Sequence, residues 1–263
     1  GRFSELSPVG LLAAAVGGIN IRELLKGAAR MDERCKENDM MKNPALLYSA
    51  MEYIAMTELG RNIQVIMPYA DSLRLLSDWF CQLWAESLGK NVTRSGKPIN
   101  AGQTPVKALG VTDQHSQLQL YTEGPLDKVI TLFQVEAYRM ETAIPEAPES
   151  YPDEIRFLGG KTHSQLIQAE YKGTEYALTA AGRMNQTIVV PFVDADAIGQ
   201  LLYFFEMATA FAGEMLDIDA FNQPGVEGSK IATYATLNHP AEKYMKARER
   251  MSGAAEKESG YII

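Results

Sequence analysis

At 263 residues, 46% of them hydrophobic, the chain is long enough to bury a sizeable core in one large or two modest domains, which argues against a disordered polypeptide. Its formal net charge of −8 argues against non-specific nucleic-acid binding, which needs a basic footprint to displace counterions, yet permits a small anionic substrate held by a few placed cations or a helix N-terminus. Neither a signal peptide nor a run of about 18 apolar residues occurs, so a cytoplasmic location without membrane contact is expected.

In chain order, residues 1–42 read as helices with breaks at Gly17-Gly18 and at Gly27, and hold no convincing strand. Helical spacing follows from Asn43 to Leu59, then Ser72 to Leu88, Ser116 to Tyr121, His163 to Ala181 and Asp196 to Leu216. Short apolar runs rich in β-branched residues lie between these segments: Ile63 to Met67, Val129 to Phe133 and Thr187 to Pro191, with a weaker fourth at Val106 to Leu109. Strands that alternate with helices predict an α/β fold, a three-layer α/β/α sandwich around a mostly parallel, doubly wound sheet of four to five strands. Ligands in such sheets bind outside the carboxyl ends of the strands, so candidate chemistry is expected there. Ala143 to Gly160, with three prolines, reads as a surface loop, and Ala241 to Arg250 as a charged amphipathic helix before a polar tail. Cys35 and Cys81 lack metal-ligand spacing and read as buried free thiols.

Four places carry residues suited to chemistry. Glu86, in Gln82-Leu-Trp-Ala-Glu-Ser-Leu-Gly-Lys90, is a carboxylate beside Trp84 and Leu88 at a helix end, a setting in which an acid can serve as a base near neutral pH. By itself it reads as a surface acid, but Gln82 lies one turn earlier on the same face, so both can meet one ligand. His115, in Thr112-Asp-Gln-His-Ser116, falls in a strand-to-helix loop where an imidazole can transfer a proton; a structural cap is the alternative. Gln223 offers donor and acceptor to sugar hydroxyls ahead of a helix that carries Lys230, which alone reads as a solvated lysine. Arg2, uninformative in isolation, has a guanidinium suited to an enediolate oxygen if the chain holds it in place.

These segments, Gly1-Arg-Phe-Ser-Glu-Leu-Ser-Pro-Val-Gly-Leu-Leu12, Gln82 to Lys90, Thr112-Asp-Gln-His-Ser-Gln-Leu-Gln-Leu-Tyr121 and Phe221-Asn-Gln-Pro-Gly-Val-Glu-Gly-Ser-Lys230, stand in the order found in the glucose-6-phosphate isomerase (phosphoglucose isomerase) family, which the chain resembles over essentially its whole length. The resemblance implies interconversion of glucose 6-phosphate and fructose 6-phosphate through a cis-enediol(ate). It gives Glu86 the proton transfer between C2 and C1, Arg2 the charge on the intermediate, His115 and Lys230 the ring opening, and Gln82 and Gln223 the substrate oxygens. It further implies a homodimer with His115 contributed across subunits, and neither a metal nor an organic cofactor. The Gly-Gly-Ser and Ser-x-Ser-Gly-Thr-Thr loops that grip the sugar phosphate do not occur, so the chain resembles the C-terminal half of such a protein. On that reading, residues 1–42 connect to a missing N-terminal domain, 43–238 form the second sugar isomerase (SIS) domain, and 239–263 are a C-terminal helix and tail. Asn222 stands where the family has Asp, which keeps the acceptor but removes a charge. A non-catalytic sugar-phosphate sensor is the alternative, and an inert interaction module a third possibility.

Overall fold

The computed structural model describes residues 1–252, and the polar tail expected beyond the last helix lies outside the described residues from 253 onward. The chain divides into two compact units, one of Gly1–Ala220 and one that begins at Phe221. In the first unit the order is α1 (Pro8–Val16), α2 (Ile21–Cys35), α3 (Pro44–Thr57), β1 (Ile63–Pro68), α4 (Arg74–Leu88), β2 (Lys90–Val92), β3 (Pro98–Ala101) and β4 (Thr104–Lys107). It continues with α5 (Thr112–Glu123), β5 (Lys128–Ala137), the short α6 (Asp153–Arg156), α7 (His163–Ala180), β6 (Asn185–Phe192) and α8 (Ala195–Met215).

Strands β4, β1, β5 and β6 form one parallel sheet in that order, with Ile63 of β1 opposite both Thr104 of β4 and Lys128 of β5. The three strong apolar runs sit inside β1, β5 and β6. The fourth strand starts earlier than its apolar residues suggest, because the ladder begins where Thr104 N donates to Asn62 O (2.8 Å). A small antiparallel hairpin of β2 and β3 follows α4, and no apolar run announces it.

Alternation along the strands sends side chains to two cores. Ile66, Phe133, Val135 and Val190 enter the larger one with α2, α3, α4 and α8, while Val65, Met67, Ile130 and Leu132 face Tyr121, Tyr171 and Leu178 of α5 and α7. The first unit is thus the expected three-layer α/β/α sandwich. Phe205 of α8 centres the larger core, with ring contacts to Tyr48, Trp79, Phe80, Phe133 and Phe204. Each such ring, once buried, contributes about 1.5–3 kcal/mol through apolar burial, and together they lock α4 onto α8.

The N-terminal residues are helical, as the sequence suggests, with a break at Gly17-Gly18 and Asn20 capping α2 through the Arg22 and Glu23 amides. Gly27, read as a second break, instead lies inside α2, where it lets the helix approach the backbone of Asp196 at the start of α8. The proline-rich loop carries α6 and an antiparallel bridge from Ala143 to Thr162. Cys35 is buried, Cys81 is half-buried, and both are free thiols.

The second unit holds α9 (Pro224–Thr236) and α10 (Glu242–Ser252), joined by ring contacts among Tyr234, His239 and Tyr244 at centroid distances of 4.5–5.6 Å. Pro224 at the first helical position suits its fixed φ and missing N–H to the start of α9.

Candidate active site

The last turn of α4 carries Glu86 and Ser87, and buried neighbours hold it from behind. Trp84 stacks on Phe80 at 5.4 Å and donates its indole N–H to Gln103 Oε1 (3.2 Å). Gln103 directly precedes β4 and donates to Arg61 O (2.9 Å), shortly before β1. Those two bonds put the Glu86 end of α4 at the amino ends of β1 and β4, not at the carboxyl ends where chemistry was expected. The reason is topological: α4 leaves the carboxyl end of β1 and runs back, so its last residues return to the opposite edge.

Arg2 meets that turn from the other end of the sequence. Phe3 and Leu6 pack against the large core and Ser7 caps α1, which fixes the extended segment that bears the arginine. The guanidinium Nε lies 2.8 Å from Glu86 Oε2. Its Nη1 donates to Ser87 Oγ (3.0 Å), 85 positions away, and to Ala220 O (3.0 Å). The arginine side chain is 9% exposed and that of Glu86 33%, so the cation is sheltered while the carboxylate reaches solvent. An oriented guanidinium next to an accessible carboxylate can hold charge on an oxygen while the acid moves a proton on the adjacent carbon.

The other candidates are spread differently. Gln82 is exposed on α4, one turn before Glu86. His115 lies in the first turn of α5, which starts at Thr112 and not Ser116, so it is helical and not in a loop. Asp113 accepts from Leu109 N (2.7 Å) and Gly110 N donates to Pro68 O (3.0 Å), which ties the start of α5 to the carboxyl ends of β1 and β4. His115 and Glu86 of one chain therefore stand at opposite ends of the strands β1 and β4. Gln223 and Lys230 belong to the second unit: Gln223 is the N-cap residue of α9, and the Lys230 ammonium pairs with Glu227 at 2.8 Å, both exposed. Asn222 directly precedes that cap and is exposed.

Side chains that the motifs did not single out support the site. The Lys90 ammonium donates to Glu86 O (2.8 Å) and Ser87 O (2.7 Å). Behind Trp84, Glu52 of α3 is 1% exposed, with Gln103 Nε2 at 3.1 Å from Oε2 and Gln186 Nε2 at 2.7 Å from Oε1. The Gln64 amide satisfies both ends when its nitrogen faces Glu52 (2.9 and 3.1 Å) and its oxygen accepts from Tyr48 and Thr131 (2.7 Å each). Burial pushes the Glu52 carboxyl up to about 7 against the opposing pull of the Gln103 and Gln186 amides. A sequence signal existed, since Glu52 falls on the face of α3 that carries Ala45, Tyr48 and Ala55. An apolar cavity of about 440 Å³ lined by Tyr48, Gln186, Phe204 and others contains no carboxylate or imidazole and includes neither Arg2 nor Glu86. Among the described residues no group of three His, Cys, Asp or Glu is placed to hold a metal ion, and no helix is long and apolar enough to cross a membrane.

A family model described as phosphoglucose isomerase matches residues 1–255. A glucose-6-phosphate isomerase of Carboxydothermus hydrogenoformans is 56% identical over 237 residues, which cover 90% of this chain and 51% of that protein. One of Rubrobacter xylanophilus, with the same name, is 46% identical over 240 residues, 91% of this chain and 53% of the relative. The chain spans about half the length of the curated relatives it matches. Among solved structures, a hypothetical protein of Thermus thermophilus superposes with a TM-score of 0.82 at 38% identity, over 90% of this chain and 55% of that one. A structure of a glucose-6-phosphate isomerase from Chlamydia trachomatis shares the fold, with a TM-score of 0.77 at 23% identity, over 95% of this chain and 50% of that one.

Proposed function

This chain belongs to the phosphoglucose isomerase family, and from that premise we propose that it supplies the proton-transfer half of an aldose–ketose isomerase site that interconverts glucose 6-phosphate and fructose 6-phosphate. The observation that carries the reading is the pairing of Arg2 with Glu86 at 2.8 Å, in which residues from distant parts of the first unit's sequence form one guanidinium–carboxylate unit. Glu86 takes the C2 proton of the open-chain aldose. The C1 carbonyl oxygen becomes an enediolate oxygen beside Arg2, whose Nη1 is held by Ser87 and Ala220. Glu86 returns the proton at C1 while the O2 proton passes to O1, which leaves the carbonyl at C2. Gln82, one turn along the same helix, and Gln223 hold substrate oxygens, and His115 and Lys230 assist ring opening.

The separation of His115 and Glu86 to opposite strand ends of one sheet supports a homodimer in which each site receives its histidine from the second copy. The reading takes residues 1–42 as a connector, 43–238 as the SIS domain and 239–263 as a terminal helix and tail, in a cytoplasmic protein whose phosphate grip comes from the remaining half. The relatives bear the name of an enzyme, which gives the sensor reading no support.

The test is a chimera in which this chain replaces the matched half of the Carboxydothermus hydrogenoformans relative. Turnover of fructose 6-phosphate, with deuterium incorporation at C2 of the product from heavy water, is expected, and Glu86→Gln is expected to lower kcat by about 10²–10⁴-fold as removal of a general base does. Wild-type turnover in the Gln variant removes Glu86 from the role of base. Binding without deuterium incorporation favours the sensor.

A further inference from the structure

Lys90 closes the segment that bears Glu86, and the proton transfer described above assigns it no task. The residue is 7% exposed, and its ammonium donates to the carbonyls of Glu86 and Ser87 at 2.8 and 2.7 Å. These carbonyls lie in the last turn of α4, where the helix ends and the amides that would have bonded to them are missing. A lysine at a helix C-terminus commonly meets such carbonyls and the negative end of the dipole, but it does so with its head in water. Drawing the ammonium under the protein surface costs desolvation that a solvated cap avoids. Here the charges of Arg2, Asp219 and Glu86 all act on it. Burial holds the Lys90 ammonium below its ordinary pKa, the Arg2 charge adds to that, and Asp219 and Glu86 oppose it.

We propose that Lys90 is a positioning residue for the isomerisation base: it grips the backbone of Glu86 and Ser87 while Arg2 engages the Glu86 carboxylate and the Ser87 hydroxyl. The inference rests on the reading of Glu86 as the base. Two adjacent residues are thereby held at both main chain and side chain, and the direction in which the carboxylate leaves the helix is set. The hairpin that begins at Lys90 is itself anchored, since Arg94 N donates to Asp217 O (2.7 Å) and the Arg94 guanidinium pairs with Glu214 of α8. The grip therefore connects the base to the main framework and not to a loose loop.

Without the ammonium, two sheltered carbonyls lose their donors and the last turn of α4 loosens. A shift of about 1 Å in a reacting group can cost about 10²-fold in rate. The experiment measures kcat and KM for fructose 6-phosphate in the chimera carrying Lys90→Met, together with amide hydrogen exchange at positions 86–88 in the same variant. A positioning role predicts kcat lower by about 30- to 100-fold with KM within about twofold. It also predicts exchange in the last turn at least about tenfold faster, and a smaller loss of kcat in Lys90→Gln, which keeps a donor without the charge.

Turnover within threefold of wild type in Lys90→Met, or unchanged exchange, overturns the inference, as does a loss carried by KM alone. Should Lys90→Met fail to fold, Lys90→Gln decides: kcat equal to wild type, or unchanged exchange at positions 86–88, overturns the inference. An inactive wild-type chimera refutes the functional reading instead, and exchange at positions 86–88 then decides the grip by itself.

Discussion

Gly27 of α2 and Gly199 of α8 each lie against the backbone of the other's helix. A Cβ on Gly27 would land on the carbonyl oxygen of Asp196, and a Cβ on Gly199 on that of Leu24. The pair lets the two helices approach at backbone distance, and α8 in turn carries the Phe205 cluster that seats α4. Gly199→Ala gains about 1 kcal/mol in helix propensity, but the clash is with backbone that has no rotamer to change, and overpacking of this kind costs about 1–3 kcal/mol or more. The expected net result is a lower midpoint of denaturant unfolding, with Gly27→Ala behaving likewise. A stabilised Gly199→Ala would show that the helices are not in contact there.

Arg2 reaches Glu86, Ser87 and Ala220 at once with one planar fork. An ammonium is a point charge and cannot reproduce the geometry. Arg2→Lys in the chimera is expected to reduce kcat/KM by about 10²-fold, the scale for loss of an oriented donor to a developing oxyanion. A value within threefold of wild type would remove Arg2 from the stabilisation of the intermediate.

Glu52 predicts a pH dependence of stability. Its folded value of about 7 stands above the ordinary 4.5, so the folded chain keeps a proton that the unfolded chain releases across that interval. Stability is therefore full below about 4.5, falls as pH rises through the window, and levels off above about 7, with a loss on the order of 3 kcal/mol. Glu206, also raised to about 7 by burial with Glu5 adding to it, acts in the same direction. In Glu52→Gln the new amide opposes the donors of Gln64, Gln103 and Gln186, so the variant is less stable at pH 5, while the gap to wild type narrows by pH 8. A gap that does not change between these pH values would show that Glu52 is not the titrating group.

The opposite placement of His115 and Glu86 predicts complementation between inactive chains. Chimeras carrying His115→Ala and Glu86→Gln, mixed in equal amounts and allowed to exchange subunits, form hybrid dimers in which one site of two is intact. Activity should return to about a quarter of wild type, as expected for random pairing in a two-fold dimer. No recovery in demonstrably mixed dimers would place both residues of each site on the same chain.

Ile63 to Met67 and Val129 to Phe133 read as strands because burial on both faces demands unbroken apolar runs, whereas Thr187 to Pro191 is legible through its β-branched residues, although β6 closes the sheet with Val190 buried and Val189 exposed. The hairpin of β2 and β3 is not legible, since Asn91, Thr93, Arg94 and Ser95 are polar and its strands are short. The first turn of α5 reads as loop in the sequence because Thr112, Asp113 and Gln114 carry no apolar period. Arg2 and Glu86 were both legible as candidates through their motifs, but local pattern contains no information about a contact between residues 2 and 86.

The family, the alternation of strands and helices, and the residue types available for proton transfer are legible along the chain, because periodicity and motif are local properties. Folding alone places the candidate base at the amino ends of β1 and β4, brings a sheltered arginine from the N-terminal segment to it, sets the first turn of α5 with His115 at the carboxyl ends, and makes Gly27 a contact and not a break. Each of these depends on which elements pack together, and packing is selected by the whole core at once, through contacts between residues far apart in the chain.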